Sequence, residues 1–129
     1  MSHYILDKAY RILDADGVPA NRVVVQGTSP GECQAPDAAN AGGILGITIY
    51  SQSLQNQSVA VRKAGIARVV AAGGIDPGAP VNIADATGKV KAIDEEAGTK
   101  INCVGFAETA ASADGDIIEV FISLHQRTA

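Results

Sequence analysis

An all-β fold is predicted by three features of this sequence. Short runs rich in Val and Ile recur along the chain, turn residues separate them at intervals of roughly ten positions, and no window carries an apolar repeat of helical period. That spacing indicates a compact β-barrel or β-tulip-like domain, with a jelly-roll sandwich as the alternative. One domain is expected to span residues 1–129, since the length suffices for a single core but not for two.

Taken in order, residues 1–20 (MSHYILDKAYRILDADGVPA) are expected to form an N-terminal arm or an added strand, closed by a turn at Asp14-Ala15-Asp16-Gly17. RVVVQ, from Arg22, is a strand by its β-branched run. The segment from Thr28 to Gly42 is rich in Pro, Gly, Ala and Asp and reads as a loop. A loop of that length is uncommon in a compact domain and is often functional. The strands ITIY, SVAVRK, IARVVA, PVNIA, GKVKAI, NCVGFAE and DIIEVFISL follow. Asp76-Pro77-Gly78 presets φ at proline and gives glycine the positive φ of a type II turn. Thr87-Gly88 and Asp114-Gly115 supply tight hairpin connections. In the last strand, alternation puts Ile118, Val120, Ile122 and Leu124 on one face, the core, and Ile117, Glu119, Phe121 and Ser123 on the other.

The chain also repeats itself. GILGITIYSQSLQNQSVAVRKAG, from Gly43, and CVGFAETAASADGDIIEVFISL, from Cys103, share one pattern. Placing Gly46 over Gly105 brings Ile47 over Phe106, Ser53 over Ser112, Gln57 over Asp116, Val59 over Ile118 and Val61 over Val120. This is an internal strand-turn-strand duplication.

Composition narrows the function. The chain is 47% hydrophobic yet has no Trp, two Phe and three Tyr, against 22 Ala and 14 Gly. Its core is therefore built from small aliphatic side chains, which bury little area each. Net charge is −4, and the ten Lys and Arg are scattered without aromatic interleaving, which disfavours a nucleic-acid partner. No apolar run approaches the roughly 18 residues of a membrane span, and the N-terminus lacks a signal-peptide core. Cys33 and Cys103 read as free, part-buried thiols.

Catalytic, cofactor and metal patterns are not found. His3 and His125 lie near opposite termini and form no clustered ligand set. AGGILG and AAGGIDPGAP lack the Lys-Ser/Thr of a phosphate loop, and IDEEAG reads as a solvated acidic turn. Lys89, in ATGKVKAI, stands beside a turn as a carrier-domain lysine would, but the flanking residues match neither the lipoyl nor the biotinyl pattern. A glycan-binding β-module would need exposed aromatics, of which the chain has few.

Leu45-Gly46-Ile47, Gly65-Ile66-Ala67, the segment from Ile75 to Val81, Val104-Gly105-Phe106-Ala107 and the stretch from Ala113 to Val120 occur in a particular order and spacing. From about Arg22 to Leu124 this order resembles a family of small tailed-bacteriophage capsid decoration (cement) proteins. The resemblance implies a non-enzymatic structural protein without cofactor. It implies a chain made in the host bacterial cytoplasm that binds the outer surface of the capsid shell and bridges capsomers, with the major capsid protein as partner. A homo-oligomer is expected, a trimer in preference to a dimer. Exposure logic offers Tyr4 and Tyr10 of the arm, Pro30 and Pro36 of the long loop, and Phe121 as partner contacts.

Overall fold

The structure is a computed structural model that describes residues 5–129. It holds ten strands: β1 (Leu6–Ile12), β2 (Val23–Gln26), β3 (Glu32–Gln34), β4 (Ile44–Thr48), β5 (Ser58–Ala64), β6 (Ile66–Val70), β7 (Pro80–Ile83), β8 (Val90–Ala92), β9 (Lys100–Ala107) and β10 (Ile117–Thr128). No helix occurs among the described residues. The first five strands close into a barrel, β1-β3-β2-β4-β5, and the last five form a sheet in the order β6-β10-β9-β7-β8. Cut between β1 and β3, the barrel reads β1-β5-β4-β2-β3, which is the order of the sheet. The duplication therefore covers all five strands of each half, well beyond the hairpin the sequence displays.

Registers repeat as well as strand order. Ile47 faces Arg62 and Thr48 faces Val61, while Phe106 faces Phe121 and Ala107 faces Val120, an offset of 59 (47 to 106, 62 to 121). Tyr10 opposite Val59 becomes Val69 opposite Ile118. Val24 opposite Gly46 becomes Val81 opposite Gly105, and both ladders shift register one residue later. Close packing dictates those two glycines: a Cβ on Gly46 would lie 2.1 Å from the Arg62 carbonyl oxygen, and one on Gly105 would lie 2.0 Å from that of Phe121.

The halves differ at one seam. In the first, β1 and β3 run parallel, with Arg11 N donating to Gly31 O at 2.9 Å and Leu13 N to Cys33 O at 3.0 Å. In the second, the equivalent seam keeps a single bridge, Ala71–Val90, with Ala72 N on Val90 O at 2.8 Å. Above it the start of β2 has entered: Val70 N donates to Asn21 O at 3.0 Å and Val23 N to Gly88 O at 2.8 Å. Gly88 has φ +81, and a Cβ there would meet Val23 O at 2.6 Å, so the wedge requires a glycine.

Two cores follow. Tyr10, Ile12, Val18, Val24, Cys33, Leu45, Val59 and Val61 fill the barrel. Their counterparts Val69, Ala71, Ile75, Val81, Val90, Val104, Ile118 and Val120 fill the second unit, which also takes in Val23, Val25 and Ile47 from the outer face of the first. Each fully buried Val or Ile contributes about 1.5–3 kcal/mol, so this shared cluster holds the halves together.

Several expectations need correction. The segment from Thr28 to Gly42 is not one long loop, because β3 runs through it and buries Cys33 completely. β1 makes the N-terminal segment an added strand, and alternation turns Tyr10 inward to 5% exposure. Ile118, Val120 and Ile122 face the core as expected, but Leu124 is 44% exposed because β10 slips register between Ile122 and His125. Gly17, Gly78, Gly88 and Gly115 all turn with positive φ where the sequence places them, but Asp114-Gly115 is not a tight hairpin: it lies inside the longer connection 108–116 between β9 and β10.

Candidate functional site

One row of residues crosses the outer face of the second unit. Ile66 on β6 faces Phe121 on β10, Phe121 faces Phe106 on β9, and Phe106 faces Pro80 on β7. Directly opposed residues in antiparallel strands project to the same side, so these four form an apolar stripe across four strands. Phe121 is 46% and Ile66 42% exposed. The corresponding row in the first half is Asp7, Arg62, Ile47 and Val23. There Asp7 and Arg62 form an ion pair at 2.9 Å, and Ile47 and Val23 are fully buried by the second unit. The covered face of the first half is thus the open face of the second.

Charges flank the stripe. Along the outward side of β10, Glu119 stands on one side of Phe121 and His125 and Arg127 on the other. His125 stacks on Phe106 with centroids 5.3 Å apart, and its Nδ1 lies 2.7 Å from Ser123 O. Arg127 folds back, its guanidinium 5.7 Å from the Phe106 centroid and its Nε donating to His125 Nε2 at 3.2 Å. His125 is therefore half-buried and held, not a bare terminal histidine.

A polar clamp lies at the other end of that face. Asn82, fully buried, donates to Glu95 Oε2 at 2.9 Å and to Asn40 Oδ1 at 3.3 Å. Lys91 Nζ donates to Glu95 at 2.6 Å and to Asp94 at 2.5 Å. Burial alone would raise the Glu95 carboxyl, but the hydrogen bonds from Lys91 and Asn82 prevail and hold it at about 2. Asn40 also accepts from Asn102 N at 2.9 Å, which ties the β3–β4 connection to the edge of β9.

The sequence-derived candidates are scattered. Tyr4 lies outside the described residues. Tyr10 sits inside the barrel with the Lys8 and Lys63 ammonium groups 5.2 and 5.1 Å from its ring centroid. Pro36 is buried, Pro30 exposed, and neither adjoins the stripe by strand pairing. Phe121 alone stands in it. Ile66, Pro80 and Phe106 stand in the ordered motifs of the sequence but not among its contact candidates; the signal for Phe106 is the repeat, since it takes the place of the buried Ile47. Lys89 bonds to Asp114 at 2.9 Å rather than projecting from a hairpin tip. Burial pushes the Cys33 thiol up to about 11, with Asp14 adding to it, and burial likewise raises Cys103. Thiols so placed are protonated and inert. No group of His, Cys, Asp and Glu among the described residues is arranged to hold a metal ion.

The geometry defines a protein of two tandem five-stranded β units, one closed and one plugged by the other, with an apolar stripe on the outside. The same fold occurs in the head fiber gp8.5 N base of bacteriophage phi29: the structures superpose with a TM-score of 0.64 at 15% identity, over 93% of this chain and 95% of that one. No protein-family model matches the sequence, and no curated protein matches it.

Proposed function

We propose that this chain is a non-enzymatic structural protein of a bacteriophage virion, a decoration or cement protein that binds the outer surface of the capsid shell and bridges neighbouring capsomers of the major capsid protein. The observation that carries this reading is the end-to-end likeness of fold to a phage head fiber base. The ordered motifs from Leu45-Gly46-Ile47 to the stretch ending at Val120 support it independently, because they resemble phage decoration proteins. Bridging needs at least two contact surfaces. Repetition over the shell would sum modest contacts through multivalency. Acidic charge suits an outer position, away from packaged DNA.

The test is to mix the purified chain with undecorated capsids of its own phage and sediment them. Co-sedimentation at saturating, stoichiometric occupancy, with a higher temperature of capsid disruption, is expected. Absence of co-sedimentation at micromolar chain overturns the proposal.

A further inference from the structure

We infer that His125 is a pH-sensitive latch: uncharged, it holds the Arg127 guanidinium over Phe106, and on protonation it releases Arg127 and leaves that side of the ring open. The hydrogen bonds fix the state of the imidazole. Ser123 O only accepts, so the 2.7 Å contact at Nδ1 requires a proton there. The guanidinium carries donors only, so the 3.2 Å contact from Arg127 Nε requires a lone pair on His125 Nε2. Only the neutral, Nδ1-protonated tautomer satisfies both partners.

Protonation breaks this arrangement at one atom. Nε2 then carries a hydrogen that faces the Arg127 Nε–H, and two cations stand 3.2 Å apart. Both also lie against one ring, with His125 stacked at 5.3 Å and the guanidinium at 5.7 Å from the Phe106 centroid. A charge on His125 strengthens its own attraction to the ring face, whereas Arg127 loses its acceptor, so the guanidinium is the group that leaves. Neighbouring elements do not offset the new charge. Cys103, opposite His125 on β9, is a thiol that burial keeps protonated. Glu95, from the β8–β9 connection, is the carboxylate whose charge reaches Cys103, and it is already bonded to Lys91 and Asn82. Gly43, Ile44, Asn102, Leu124 and Gln126, which share a cleft with His125, carry no charge. Beyond Phe121, Glu119 and Arg68 stand opposite each other. Among the described residues no carboxylate forms an ion pair with His125 or Arg127. Release opens Phe106 beside Phe121, which is already 46% exposed. Imidazole is the side chain whose charge ordinarily changes between about pH 5 and 8, so pH sets the apolar area of this face across that range. The latch does not rest on the capsid reading.

Nitrogen NMR of the imidazole and guanidinium groups on the full, isotope-labelled chain tests it, with His3→Gln used to assign the His125 signals. At about pH 8 His125 should show a protonated Nδ1 and a bare Nε2. Lowering the pH to about 5 should shift the Arg127 Nε–H signal to the position it holds in His125→Ala, in step with the His125 ring. In His125→Ala the same signal should stay unmoved over that range. A neutral His125 protonated at Nε2 overturns the inference, as does an Arg127 signal that stays put while the His125 ring titrates. An Arg127 signal that moves as far with pH in His125→Ala as in the parent would trace the change to another group, and also overturns it.

Discussion

The first half closes its barrel on itself through β1 and β3, whereas the second leaves that seam open and admits the start of β2 from its neighbour. Backbone demands are nevertheless the same on both sides. Gly46 and Gly105 both lie against a carbonyl of the next strand, and Asn21 and Gly78 both take positive φ where their N–H groups reach Thr48 O and Ala107 O. What differs is whatever each outer face touches. A duplicated chain keeps the residues that its hydrogen-bond ladders require and rewrites those that meet the surroundings.

The largest effect that would break this comparison is a reciprocal swap at one pair of equivalent positions. Val25, 8% exposed, belongs to the core joining the halves, and its counterpart Asn82 is buried under its own loop with Oδ1 unpartnered. Val25→Asn would put an amide into an apolar cluster without partners, at a cost of about 2–4 kcal/mol. Asn82→Val removes an imperfectly satisfied amide but also takes a donor from the Glu95 carboxylate, which keeps Lys91, and should cost less than Val25→Asn, about 1–2 kcal/mol. Denaturant melts of both variants measure the asymmetry, and equal losses would mean that the two environments are not distinct.

That pair also shows how far the sequence was legible. The hairpin repeat could be read because glycine spacing and Val-x-Val alternation survive in both copies at a constant offset of 59. The other three strand pairs could not. The first half spends two more residues on the turn between β1 and β2, so Val24 maps to Val81 at an offset of 57. The matched residues also differ in kind: Tyr10 with Val69, Cys33 with Val90, Val25 with Asn82. Period-two alternation assigns faces but names no partner strand, so neither the parallel β1–β3 closure nor the wedge of β2 could be foreseen. Tyr10 was nonetheless within reach, since Tyr10 and Ile12 alternate with Arg11 along one strand. For the stripe, only Phe121 stood out by its alternation. Phe106 became meaningful once Ile47, its counterpart, proved to be buried.

Glu95 sharpens the comparison by pH, because the buried carboxylate of the first half, Glu32, is held by different partners, the Arg11 guanidinium and the Ser29 N–H. Its carboxyl is held at about 2, below the ordinary 4.5, by the bonds from Lys91 and Asn82 that outweigh its burial. A depressed folded-state value contributes stability that is complete above 4.5 and is lost as pH falls from there toward 2. Allowing for its partial exposure, the contribution is about 2 kcal/mol. Glu95→Gln should therefore be less stable than the parent by about that amount around pH 6. The gap should close as the pH approaches the folded value. A gap that stays constant across this range would show that Glu95 acts through packing alone.

The smallest expected effect tests whether the halves are interchangeable where only the backbone matters. Asn56 and Gly115 occupy equivalent turns, with φ of +68 and +97, and their N–H groups both donate at 2.8 Å, to Ile12 O and Ala71 O. Space does not require glycine in the second turn, since a Cβ on Gly115 would meet nothing within 4 Å. The remaining constraint is the left-handed conformation, which asparagine tolerates far better than β-branched residues do. Gly115→Asn should thus change the melting free energy by no more than about 0.5 kcal/mol, and Gly115→Val should cost more than about 1 kcal/mol. If asparagine cost as much as valine, the two turns would share a register without sharing a conformational demand, and the equivalence of the halves would stop at strand pairing.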